Sequence, residues 1–122
     1  MAKFRVMIVK KNGKPVGVRA AAINGRVIII ALQDEPQQMS WYDAVKIGIP
    51  TKNEWMAIAE NLDAVNEALV RAGGEPLKKS WYWSSSEYNN DYAWYSIFNY
   101  SYGLDWSNKD YDFQYVRPVL AF

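Results

Sequence analysis

A chain of 122 residues with a net charge of +1 has the size of one domain and carries no excess charge for holding a polyanion. Half of its residues are hydrophobic, enough to build a core without metal or disulfide help, which excludes a disordered chain. It has no Cys and no His, which removes thiol nucleophiles, disulfides, ordinary zinc sites and the imidazole general base together. The tyrosines are unevenly placed: seven of the nine lie between Tyr88 and Tyr115.

In chain order, Phe4–Lys10 alternates and is rich in β-branched residues, which predicts a strand. Asn12-Gly13 is a hairpin signal with Val16–Ala22 returning beside it. Asn24-Gly25 is a second, followed by Val27–Leu32, whose apolar run predicts a strand buried on both faces. Ser40 is placed to N-cap a short helix with Trp41, Ala44 and Val45 on one side, ended by Gly48. Thr51 and Glu54 form a capping box for a second helix, which Asn61-Leu62-Asp63 can divide in two and which Gly73-Gly74 and Pro76 stop. Beyond it, short strands are expected at Trp81–Ser84, Ala93–Phe98, Leu104–Trp106 and Tyr115–Ala121, joined by long polar and aromatic loops. Strands, then helices, then strands again make an α+β fold. Met1–Lys14 reads as strand and loop, without a signal peptide. No apolar run approaches the ~20 residues that span a bilayer, so no membrane insertion is expected.

Trp81-Tyr82-Trp83-Ser84-Ser85-Ser86-Glu87-Tyr88 resembles a segment of bacterial and phage C-type-lectin-like domains. Ser40-Trp41-x-x-Ala44, Ile49-Pro50-Thr51-Lys52-x-Glu54-Trp55, Ala93-Trp94 and Val116-Arg117-Pro118-Val119 fit the same group in the same order. Within that fold, on its formylglycine-generating-enzyme-like branch, the chain is similar to the variable proteins of diversity-generating retroelements. The resemblance implies a C-type-lectin-like domain over residues 1–122, with a framework of 1–87 and 116–122 around a variable region of 88–115. It also implies that adenine-directed mutagenesis rewrites Asn codons there. Such codons yield Tyr, Asp, Ser, Phe, Ile, Leu and Asn among others, and never Trp, Lys, Gln, Glu or Met. Only Trp94, Trp106, Lys109 and Gln114 between Tyr88 and Tyr115 lie outside that set.

The composition of this segment suits recognition on its own account. Tyr offers a large, stiff contact area with a hydroxyl, and Ser and Asn add adaptable polar contacts. The expected ligand-binding residues are Tyr88, Asn89, Asn90, Tyr92, Tyr95, Ile97, Asn99, Tyr100, Tyr102, Asp105, Ser107, Asp110, Tyr111, Asp112, Phe113 and Tyr115, with Tyr95, Tyr100, Tyr111 and Phe113 as anchors. The bland alternative packs these rings inward. Trp41, Trp55, Trp81, Trp83 and Trp94 are expected in the core, whereas Trp106 could go either way. Glu87 is the expected partner of Arg117.

No enzyme is expected. Asp91, Asp105, Asp110 and Asp112 sit in loops without the paired spacing of a glycosidase, and the cysteine chemistry of formylglycine-generating enzymes is excluded by composition. Asp34-Glu35-Pro36 faintly matches the Glu-Pro-Asn calcium motif of lectins but lies in the wrong place, so neither metal nor cofactor is expected. Four Asp against one Lys give the aromatic segment the wrong sign for nucleic acid. The expected partner is a protein or glycan on a cell surface, such as a phage receptor. A fixed carbohydrate-binding domain and a structural domain of a larger assembly are the alternatives. Oligomeric state and compartment stay open, a phage particle and synthesis in the cytoplasm being the two settings.

Overall fold

A computed structural model describes residues 4–98 and 102–121. Both Asn-Gly pairs turn as expected. Asn12 and Gly13 have φ of 53° and 79°, Asn24 and Gly25 of 51° and 74°, the left-handed pair that a two-residue hairpin loop requires. They join β1 (Met7–Lys11), β2 (Lys14–Ile23) and β3 (Arg26–Ala31) into an antiparallel meander. Helix α1 (Trp41–Ile47) follows Ser40, whose hydroxyl makes no capping bond, and ends at Gly48 with φ 94°. Helix α2 (Lys52–Ala59) carries the complete capping box: the Glu54 N–H donates to Thr51 Oγ1, and the Thr51 N–H to Glu54 Oε1. The break at Asn61 separates it from α3 (Leu62–Arg71). Gly73, at φ 84°, closes α3 as its N–H and that of Gly74 reach back to the carbonyls of Val70 and Leu69.

The C-terminal half is more regular than the sequence suggests. In place of short strands and long loops, β4 (Trp81–Glu87), β5 (Tyr92–Phe98) and β6 (Tyr102–Asn108) make a three-stranded antiparallel sheet. Strands β5 and β6 pair from Tyr92↔Asn108 to Phe98↔Tyr102 without interruption. Polar Asn, Ser and Asp read as loop, yet in the sheet Asp105 takes an exposed position and the buried Ser84 and Ser96 hydroxyls find partners in the Trp94 carbonyl and the Tyr102 hydroxyl. The last strand, in contrast, is shorter than expected. Tyr115 makes one parallel bridge to Tyr82, the chain crosses between sheets at Arg117-Pro118, and only β7 (Val119–Leu120) joins β3. The architecture is thus α+β, with three helices and two antiparallel sheets, ordered β1-β2-β3-β7 and β4-β5-β6.

Two apolar clusters hold these layers. The first gathers Val18, Ala20, Ile28 and Ile30 of the larger sheet, Trp55, Ile58, Val65 and Leu69 of α2 and α3, and Tyr82 and Phe98 of the smaller one. The second gathers Trp41 and Ala44 of α1 with Trp83, Ala93, Tyr95 and Val116. Strand β3 is buried on one face only: Ile28 and Ile30 are buried while Val27 is exposed and Ile29 half-buried. Two indoles fasten helices to β4, and a third fastens β4 to the segment before α1. Trp41 and Trp55 donate from Nε1 to the carbonyls of Ser84 and Trp83, at 2.8 and 3.1 Å, and Trp83 donates to that of Met39 at 2.8 Å. An indole N–H buried without an acceptor is costly, so these bonds fix each ring's orientation as well as its position. Trp81 departs from expectation. It lies on β4 but is 48% exposed, since it precedes the stretch that α1 covers.

Candidate ligand-binding face

The turn between β4 and β5 meets the loop after β6 at one end of the smaller sheet. Asn89 shapes the first: its Oδ1 accepts from the N–H groups of Asp91 and Tyr92, both at 2.9 Å. Asn108 shapes the second in the same way, accepting from Asp110 at 2.8 Å and Tyr111 at 3.0 Å, while its own N–H donates to Asp112 Oδ2 at 2.9 Å. Lys109 then ties loop to turn. Its N–H donates to the Asp91 carbonyl, and its buried ammonium donates to Glu87 Oε1 and the Asn90 carbonyl, each at 2.9 Å, while lying over the Trp41 ring. Gln114, also buried, exchanges both backbone bonds with Met39 and donates from Nε2 to Ser107 Oγ.

On this scaffold Tyr88, Asn89, Asn90, Asp91, Tyr92, Asp110, Tyr111, Asp112 and Phe113 are exposed, Tyr111 by 85% and Phe113 by 59%. Asp105 is exposed on β6, with Oδ1 accepting from the N–H of Trp106 at 2.8 Å, and Ser107 is half-buried. Asn89 and Asp112, expected as ligand contacts, already spend side-chain acceptors on the backbone of the loops.

Four expected site residues instead pack inward. Tyr95 is only 6% exposed, edge-on to Trp83 in the second cluster, and Ile97 packs beside it. Burial raises the Tyr95 phenol above its ordinary ionisation range, and the charges of Asp105 and Asp112 add to that. Tyr102 packs on the first cluster with its hydroxyl 3.1 Å from Ser96 Oγ; burial raises its ionisation too. Tyr115 lies against Tyr82 with Lys78 over its ring. The reason is register. Tyr95 and Ile97 share the face of β5 that packs in the second cluster, Tyr102 pairs with Phe98 on the face toward the first, and the bridge to Tyr82 carries Tyr115 there too; Tyr suits such positions as well as open ones. Asn99 and Tyr100 lie outside the described residues.

The sequence pointed past one feature of the face. Tyr88 and Trp106 stack with centroids 4.3 Å apart and planes 1° apart, and both meet Trp94 edge-on at 5.5 and 5.3 Å. Lys52 reaches over the Trp94 ring at 4.5 Å, brought there by its N–H bond to Ser86 Oγ. Trp94 is therefore half-buried in this cluster rather than in the core, while Trp106 and Tyr88 stay largely open. The available signal was the register Trp94↔Trp106, which strand pairing reveals and spacing does not.

Arg117 does not bond Glu87. It is fully buried, with Nε donating to Asp34 Oδ1 at 2.7 Å and its other nitrogens to the carbonyls of Ala31, Glu75 and Pro76. Asp34 also accepts from Lys78 and the Tyr82 hydroxyl, so the residue that faintly matched a calcium motif is a structural counter-ion. The bond to Asp34 raises the Lys78 ammonium above its ordinary range, and burial pushes the Tyr82 phenol up strongly. Among the described residues no group of three or more Asp and Glu is placed to hold a metal ion, and no helix is long and apolar enough to cross a membrane. A cleft of 540 Å³ is lined by Leu62, Asp63, Asn66, Pro76, Leu77, Lys79 and Phe98, apart from the residues of the face.

No protein-family model matches the chain, and no curated protein or solved structure matches it.

Proposed function

We propose that this chain is a non-enzymatic ligand-binding domain, a C-type-lectin-like variable protein of a diversity-generating retroelement, that recognises a macromolecule through Tyr88, Asn90, Tyr92, Asp110, Tyr111 and Phe113. One observation carries the reading: these side chains are open to solvent, while the backbone beneath them is pinned by buried Lys109 and Gln114. Lys and Gln are residues that rewriting an Asn codon cannot produce, and here they do the framework's work. Within residues 88–115 the described exposed residues belong to the set that rewriting can reach, Trp106 excepted. A fixed backbone with interchangeable Tyr, Asn and Asp side chains suits recognition, because a rigid scaffold spares the entropy of ordering loops on binding.

Sequencing the gene and its flanks in related isolates tests this. Expected are a nearby template repeat, a reverse transcriptase gene, and codon changes at Tyr88, Asn90, Tyr92, Asp110, Tyr111 and Phe113 with none at Lys109 or Gln114. An invariant segment without a repeat would overturn it. A fixed glycan-binding domain is the second reading, favoured by the exposed stacked pair of Tyr88 and Trp106, and a glycan array separates it from the first.

A further inference from the structure

Resting on that reading, we infer that the partner of this face is a protein surface bearing exposed Arg or Lys side chains. Tyr88, Tyr92, Trp106, Tyr111 and Phe113 expose aromatic surface, and aromatic rings attract cations as well as apolar groups. The cluster already holds one ammonium in this manner, that of Lys52 over Trp94 at 4.5 Å. Around the rings, Asp91, Asp105, Asp110 and Asp112 are exposed. The one cation of residues 88–115, Lys109, is buried and matched by Glu87, and among the described residues none of those four carboxylates is in a salt bridge. A partner of opposite sign is steered toward such a face and a like-charged one is turned away. An Arg or Lys side chain answers both features, since it can lie along a ring while its charge meets a carboxylate at the rim. A neutral glycan answers the rings alone. An anionic lipid surface or a nucleic acid is opposed by the carboxylates.

The test uses the full chain and an acetylated tetra-arginine amide as probe, with the tetra-citrulline peptide as its neutral isostere and a neutral oligosaccharide alongside. Binding is followed by the Trp106 indole resonance and the amides of residues 88–92 and 110–113. Tetra-arginine is expected to shift these signals, more weakly as salt rises, with tetra-citrulline at least about fivefold weaker. Asp91→Asn with Asp110→Asn should weaken tetra-arginine about threefold to tenfold, two rim charges being removed. Both residues are exposed and, among the described residues, neither side chain makes a hydrogen bond, so this variant is expected to keep its fold. Equal shifts from arginine and citrulline, shifts confined to other residues, or a response to the oligosaccharide alone would overturn the inference. Codon variation at the face together with any of these results would leave the display reading standing and remove only the cationic partner.

Discussion

Arg117 and Asp34 lie 83 positions apart in the chain and meet at 2.7 Å in the interior, where the last crossover between the two sheets is made. Every nitrogen of the guanidinium has an acceptor, and Asp34 is shared with Lys78 and Tyr82. The network joins the segment after β3, the segment before β4 and the crossover itself.

Removing one partner strands the other. Asp34→Ala or Arg117→Met should cost about 3–5 kcal/mol in urea unfolding, the usual penalty for an uncompensated buried charge. Asp34→Ala combined with Arg117→Met should cost less than the two single changes together. Additive losses would mean that the two side chains act independently.

Tyr95 and Tyr111 belong to one composition and face opposite fates. Tyr95→Ser should destabilise by about 3 kcal/mol, as large aromatic deletions in a core do, whereas Tyr111→Ser should stay within about 0.5 kcal/mol. Equal, small changes in midpoint would show that Tyr95 is not packed as described.

Lys109 couples the two loops, so its loss should loosen both. For Lys109→Met the expected cost is about 1.5–3 kcal/mol, that of hydrogen bonds to a charged group. Amides of Asn90–Tyr92 and of Asp110–Asp112 should then exchange faster together, while those of β2 and β3 keep their protection. Faster exchange in only one loop would contradict the coupling.

The buried phenols fix the sign of an alkaline transition. Burial raises the ionisation of Tyr82, Tyr95 and Tyr102, so the native state holds them neutral. Their contribution is intact below about pH 10, the ordinary Tyr value, and is lost as pH rises through the higher folded values. Unfolding free energy should therefore fall above that pH, and Tyr102→Phe should make the fall shallower. A stability that rises or stays flat there would count against the burial of these rings.

The local chemistry of the fold was legible in the sequence. Two Asn-Gly hairpins, the Thr51–Glu54 capping box, the Asn61 break and the Gly73 stop all act between near neighbours, where residue type decides geometry. Pairings across the chain were not. Nothing adjacent to Arg117 names Asp34, and Glu87, the nearer acid by sequence, serves Lys109 instead. For the face, composition singled out the segment but could not sort its tyrosines. Tyr95 and Tyr111 differ in register and not in kind, since an amphipathic ring is at home in either place. The stack of Tyr88 on Trp106 was hidden for the same reason, because it exists only once β5 and β6 align.

Asp105 has one more consequence. Strand β6 pairs with β5 alone among the described residues, which leaves its other side open, and Asp105 places a carboxylate halfway along it. Open strand edges invite end-to-end growth of sheets between molecules, and a charge in mid-strand is one of the ways natural proteins discourage it. A face rich in tyrosine and exposed tryptophan raises that hazard. A carboxylate in that place opposes pairing between copies of the chain, so that Asp105→Thr should turn a clear concentrated solution cloudy before it alters the fold.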